Sequence, residues 1–163
     1  MRTAICPGSF DPITLGHLNI IRRAAAIFDR VVVCVTINSE KTSPMSTNEE
    51  KIEMVRRAVA KYPNVSVDSC GMLLADFVRK FENPVLIKGL RAASDFDYEF
   101  QMDLVNKRIN PQLETMFLTA DQKYTFLSSS IVREMARYGA DLHGLVPEEL
   151  IDFIEEKAKM RRE

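Results

Sequence analysis

Five short apolar runs recur along the chain, and a longer amphipathic stretch follows each of them. The runs are Thr3 to Cys6, Val31 to Ile37, Val65 to Ser69, Pro84 to Lys88 and Thr115 to Leu118. They are brief, rich in β-branched residues and bounded by turn formers, which predicts strands buried on both faces. The stretches between them repeat at helical spacing. Leu18, Ile21, Ala25 and Phe28 predict a helix over 15–28, and Leu73, Leu74, Phe77 and Val78 one over 72–81. Ser46-Thr47-Asn48-Glu49 reads as a capping box that opens a helix running to about Lys61. A long helix starts at Ser94 or Asp95 and ends at Ile109, another covers 128–138, and Pro147 in a first-turn position opens a last helix toward Met160. Strands alternating with helices imply an α/β fold: a doubly wound, five-stranded parallel sheet with helices on both faces, right-handed crossovers and a C-terminal helical extension. No repeat, linker or low-complexity segment interrupts the 163 residues, so a single domain over 1–163 is expected.

Charge and cysteine usage narrow the partners. A formal net charge of −1 argues against nucleic acid, so any anion site must be a local gathering of Lys and Arg. No apolar run is long enough to span a membrane and the first residues carry no secretory signature, which predicts a cytoplasmic protein without a membrane partner. Cys6, Cys34 and Cys70 form no Cys-x-x-Cys pair, and Cys6 and Cys34 read as small core residues. His17 and His143 have no partner at metal-ligand spacing, so no protein-held metal is expected.

In an open α/β sheet, ligands bind beyond the carboxyl ends of the strands, where strand order reverses. The residues hardest to explain by packing fall at those ends. Pro7-Gly8-Ser9-Phe10-Asp11-Pro12-Ile13-Thr14-Leu15-Gly16-His17 follows the first strand. Two prolines and two glycines make a stiff turn, and Thr14 is placed to cap a helix whose free N–H groups favour phosphate. An ordinary turn with a surface histidine reads equally well. The loop after the second strand holds Lys41 among hydroxyl residues, and a solvated lysine is its plainer account. Lys88-Gly89-Leu90-Arg91 puts two cations around a glycine where an apolar strand ends, with solvated end charges as the alternative. Asp95, Asp97 and Glu99 then complement the next helix dipole, which requires no function. Finally Ser128-Ser129-Ser130 opens a helix that carries Arg133 and Arg137 on one face. Four loops converging with cations, hydroxyls and backbone donors describe a polyphosphate site.

Thr14-Leu15-Gly16-His17 resembles the (H/T)-x-G-H motif of the nucleotidylyltransferase superfamily, and Leu127-Ser128-Ser129-Ser130-Ile131-Val132-Arg133 resembles its I-S-S-[ST]-x-x-R motif. The turn over 7–14 and Gly89-Leu90-Arg91-Ala92 are similar to those of the bacterial phosphopantetheine adenylyltransferases, with likeness from Arg2 to about Glu156. The resemblance implies a Rossmann-like nucleotidyltransferase fold and transfer of AMP from ATP to 4′-phosphopantetheine, giving dephospho-coenzyme A and pyrophosphate. It implies that Ser9, Phe10, His17, Gly89, Leu90, Arg91 and Glu99 bind ATP, with Tyr124, Thr125, Phe126, Leu127, Ser128, Ser129 and Ser130 around the adenine and the outer phosphates. It places Ser9, Lys41, Leu73, Leu74 and Lys88 on the acceptor, and gives His17 and Lys41 the catalytic roles. Mg²⁺ accompanying ATP, a homohexamer and feedback inhibition by coenzyme A belong to the same expectation. The chain departs from the family's usual residues at Lys88 (commonly Arg), Tyr124 (often Trp) and Cys6 (often aromatic).

No Cys or Ser has an identifiable paired base, so a covalent intermediate is not expected. The acceptor phosphate already carries charge and needs no general base. Direct in-line attack on the α-phosphorus leaves the protein the tasks of positioning and charge stabilisation. Two other readings fit the same loops. A sister enzyme would transfer a nucleotide to another phosphorylated acceptor, and a regulatory module would bind ATP without chemistry.

Overall fold

The computed structural model describes residues 1–37 and 44–161. Strands β1 (Thr3–Gly8), β2 (Arg30–Thr36), β3 (Val65–Cys70), β4 (Pro84–Leu90) and β5 (Glu114–Thr119) form one sheet in the order β3-β2-β1-β4-β5, all pairs parallel. Helices α1 (Leu15–Ile27), α2 (Asn48–Val59), α3 (Leu74–Phe77), α4 (Ala93–Ile109), α5 (Ser129–Arg137) and α6 (Ile151–Met160) lie between and after them.

Strand β2 explains why both faces need cover. Val31, Val33 and Val35 pack into one core with Leu18 and Ile21 of α1, Met54 and Val55 of α2, Val132 of α5 and Ile154 of α6. Val32 and Cys34 point the other way, into a smaller core with Leu86, Ala75, Phe77 and Val78. Full burial of each such side chain contributes about 1.5–3 kcal/mol, so a strand apolar on both faces is stable only between two helical layers. Cys6, Cys34 and Cys70 are all buried with free thiols, and burial raises the Cys6 thiol to about 12. The last helix does not stand apart: Ile151, Ile154 and Ala158 are buried, and Lys157 pairs with Glu50 at 2.5 Å.

Several boundaries differ from expectation for local reasons. The capping box of α2 is built by Thr47 and Glu50 instead of Ser46 and Glu49: Glu50 N donates to Thr47 Oγ1 at 3.2 Å and Thr47 N to Glu50 Oε2 at 2.9 Å. The helix expected over 72–81 is one α turn extended by a 3₁₀ turn at Val78–Lys80: Ala75, Phe77 and Val78 are buried with Leu74 and Phe81 packed beside them, while Met72 and Leu73 are exposed and add no burial to a longer first turn. Pro147 precedes a 3₁₀ turn, Glu148–Leu150, before α6 begins. Strand β1 runs on through Pro7 and Gly8, and β4 through Gly89 and Leu90, so residues expected in loops are strand ends.

That extension positions the site. Strands β1 and β4 pair only from Thr3↔Pro84 to Ile5↔Leu86, although each continues for several residues. Beyond Ile5 and Leu86 the two strands separate, β1 staying with β2 as far as Gly8↔Val35 and β4 with β5 as far as Leu90↔Thr119. A crevice opens at the carboxyl ends, where strand order reverses.

Candidate active site at the β1/β4 crevice

The turn from β1 into α1 is built around Phe10. Its φ of 47° is costly for a residue with a side chain, and its ring is buried. Gly8 makes room for that ring, since a Cβ there would lie 2.9 Å from Phe10 Cζ. The ring meets His17 edge-on, with centroids 5.2 Å apart. Gly89 has a related use: a Cβ there would meet Ile20 Cγ1 at 2.9 Å, so the glycine lets α1 close onto the end of β4.

Thr14 caps α1 as expected, and its capping partner is the imidazole itself. His17 N donates to Thr14 Oγ1 at 3.3 Å, and Thr14 N donates to His17 Nδ1 at 3.0 Å. A backbone N–H can only donate, so Nδ1 is the acceptor and the ring proton sits on Nε2. Nε2 has no partner among the described residues. Burial, with a smaller push from the Arg91 guanidinium, lowers the His17 pKa from 6.5 to about 4. The imidazole is therefore a neutral Nε2–H donor near pH 7.

Arg91, directly after β4, reaches two elements. Its backbone N and Nε both donate to Asp95 Oδ2, at 3.1 and 3.2 Å, and Nη1 donates to the Leu127 carbonyl at 2.9 Å. Lys88 makes a close, half-buried ion pair with Glu99, one turn beyond Asp95 on α4. The acidic start of α4 thus does more than complement a dipole: it engages both cations of the β4 end.

The serine-rich helix start is stitched to the first loop. Ser128 caps α5, accepting from Ile131 N at 3.2 Å, and Ser129 Oγ donates to the Pro12 carbonyl at 2.7 Å. Arg133 Nη1 donates to the Asp11 carbonyl at 2.7 Å and Nη2 to Ser130 Oγ at 3.1 Å. All three hydroxyls therefore have structural partners, and what the first turn offers an anion is its backbone N–H groups. Tyr124 and Leu127 lie beside Gly16, where a Cβ would be 3.6 and 3.8 Å from them, while Phe126 and Thr125 are exposed.

Ser9, Phe10, His17, Lys88, Gly89, Leu90, Arg91, Glu99 and the 124–130 stretch all lie on the carboxyl-end side of the sheet. Leu73 and Leu74 follow β3 on the same side, with Met72 and Leu73 exposed as an apolar lip. Lys41 lies outside the described residues. Arg137 is not part of this cluster. With Arg133, Met45 and Arg161 it lines a cavity of about 740 Å³ on the flank of α5 and α6.

Two site residues escaped the sequence reading. The buried Asp11 carboxylate accepts Met45 N at 2.8 Å and Ser46 N at 3.0 Å, tying the first loop to the entrance of α2. Asp95 was read only as a helix-start charge. The spacing of Arg91 and Asp95 is a helical pair spacing, but Arg91 precedes α4, so periodicity could not mark it.

Residues 5–135 match the cytidylyltransferase-like family model. The phosphopantetheine adenylyltransferase of Dictyoglomus turgidum is 47% identical over 161 residues, covering 99% of this chain and 100% of the relative. That of Clostridium botulinum is 45% identical over 163 residues, covering 100% and 99%. A solved structure from Vibrio parahaemolyticus, described provisionally as a nicotinate-nucleotide adenylyltransferase, shares the fold with a TM-score of 0.73 at 16% identity, covering 99% of this chain and 96% of that one. With a family model over residues 5–135 and relatives 47% and 45% identical along their full length, the chain belongs to the phosphopantetheine adenylyltransferases.

Proposed function

We propose a direct in-line mechanism for the reaction that family membership assigns to this chain, transfer of AMP from ATP to 4′-phosphopantetheine in coenzyme A biosynthesis. The 4′-phosphate oxygen attacks the α-phosphorus, the bond to the β-phosphate bridging oxygen breaks, and pyrophosphate leaves with dephospho-coenzyme A as product. The observation that carries this reading is the bond from the Thr14 N–H to His17 Nδ1. With Nδ1 occupied by the Thr14 N–H and no useful basicity left, the ring is suited to donate from Nε2 to charge building on the α-phosphate, and not to abstract a proton.

The other roles follow the chemistry of each group. Arg91 and the first turn of α5 hold the departing pyrophosphate, while Lys88 and Lys41 reduce repulsion between two anionic reactants. Ser9, Phe10, Gly89, Leu90, Glu99 and the 124–130 stretch surround the nucleotide. The apolar lip at Met72 and Leu73, with Leu74 beside it, suits the pantetheine arm. Mg²⁺ enters as part of the MgATP substrate, with phosphate oxygens and water as its natural ligands. Coenzyme A, which shares both halves of the product, is proposed as a feedback inhibitor.

A homohexamer in the cytoplasm completes the proposal. Among the described residues no helix is long and apolar enough to cross a membrane. The exposed apolar side chains of α4 support self-assembly.

The test follows pyrophosphate release from MgATP with and without 4′-phosphopantetheine. Release that depends on the acceptor, with dephospho-coenzyme A found by mass, is the expected result. Release only with a different phosphorylated acceptor would keep the chemistry and discard the substrate. ATP binding with no release for any acceptor would overturn the catalytic reading.

A further inference from the structure

We infer that Asp95 is the positioning residue that aims Arg91, and that it acts on ATP only through that guanidinium. This rests on the proposed role of Arg91 in holding the nucleotide phosphates.

One carboxylate oxygen of Asp95 receives two N–H groups of the same residue, the backbone N and Nε of Arg91. That closes a ring from the main chain to the guanidinium and fixes the side-chain torsions between them. The Leu127 carbonyl then takes one N–H of Nη1, which joins the end of β4 to the entrance of α5. An arginine has five N–H donors. Nε and one on Nη1 are engaged, so three remain, and Nη2 has no partner among the described residues. The side chain is only partly buried, so without Asp95 the ordering of its rotors would fall to the nucleotide at the moment of binding. Leu127 also packs beside Gly16, so the bond to its carbonyl ties the guanidinium to a residue lying against the first turn of α1.

Positioning and simple charge attraction predict opposite signs. Removing a carboxylate beside a phosphate-binding arginine strengthens the local positive field, and field alone would tighten ATP binding. Loss of the clamp weakens it.

The experiment compares KM and kcat for MgATP and for the acceptor in wild type, Asp95→Ala, Arg91→Ala and the double variant. The expected result is an ATP KM raised about tenfold in Asp95→Ala, the scale of one charge-assisted hydrogen bond. The acceptor KM should hold, and the double variant should equal Arg91→Ala. Asp95→Glu should restore part of the loss. Asp95→Asn, which keeps an acceptor at the helix start, should also raise ATP KM and carries the test if Asp95→Ala folds poorly in a thermal melt. An unchanged or lowered ATP KM on removing the charge, or additive effects in the double variant, would overturn the inference. A wild-type ATP KM in Arg91→Ala would overturn the Arg91 assignment beneath it.

Discussion

At the scale of single residues, His17 sets the sharpest expectations. Its Nδ1 is committed to a backbone N–H, so any catalytic use must come from Nε2 as a donor. Losing one such donor to a transition state costs about 2.7–4 kcal/mol, or about 10²–10³ in turnover. His17→Ala should therefore lose turnover on that scale while ATP affinity, measured by calorimetry, changes far less. Turnover near that of wild type would remove His17 from the chemistry. The same residue makes stability depend on acid. In the unfolded chain it takes a proton near pH 6.5, in the folded chain only near pH 4. Between those values the unfolded state binds more protons, so this contribution is complete above about pH 6.5 and is lost as pH falls toward about 4. Urea unfolding of wild type against His17→Asn across that window should show a steeper acid loss in wild type. Parallel curves would mean that the imidazole is not held neutral.

At the scale of elements, the two capping boxes show what local sequence can and cannot specify. Ser46-Thr47-Asn48-Glu49-Glu50 contains two overlapping matches to one motif, and only the backbone chooses between them. Ser46 is drawn inward because its N–H goes to the buried Asp11 carboxylate, which leaves Thr47 to cap. Thr47→Ala should cost about 1 kcal/mol and lower Tm by about 2–4 °C. Ser46 Oγ is buried with no partner among the described residues, so Ser46→Ala should be neutral or stabilising. The reverse ranking in thermal melts would restore the first assignment. The strands, their alternation with helices and the loops that gather at one sheet edge were legible because period and turn chemistry are local. The motif loops also marked His17, Arg91 and the serine-rich helix start as candidates, and all three fall at that edge. What stayed hidden depends on contacts across the sequence. The 2.9 Å constraint of Ile20 on Gly89 is one, and the Asp11 bonds to Met45 and Ser46 across 34 and 35 residues are another.

At the scale of the molecule, α4 is the element whose surroundings look incomplete. Among its seventeen residues only Asn106 is buried, while Phe96, Tyr98, Phe100, Leu104 and Val105 are exposed, with Met116 of β5 exposed as well. Its apolar side chains fall on more than one side of the helix, and of them Ile109 packs against the small core. Among the described residues, Asp103 Oδ1 and Thr115 Oγ1, on α4 and on the neighbouring strand, are buried without hydrogen-bond partners, so this layer also carries unsatisfied polar atoms. Closed assembly of identical chains would bury the exposed face. Asp95 and Glu99 sit on the first two turns of this helix and hold Arg91 and Lys88. Rigidity that α4 gains from a neighbouring copy would therefore reach the nucleotide site. Phe100→Asp combined with Leu104→Asp should shift the sedimentation coefficient from the assembled to the single-chain species. Far-UV circular dichroism should stay near that of wild type, because neither side chain is part of the core. The dissociated variant should show a raised ATP KM, since the turns that aim the two cations lose their support. An assembled mass with both aspartates in place would show that α4 is covered by something other than a second copy, and a dissociated chain with wild-type ATP KM would show that the clamp at Asp95 stands without assembly.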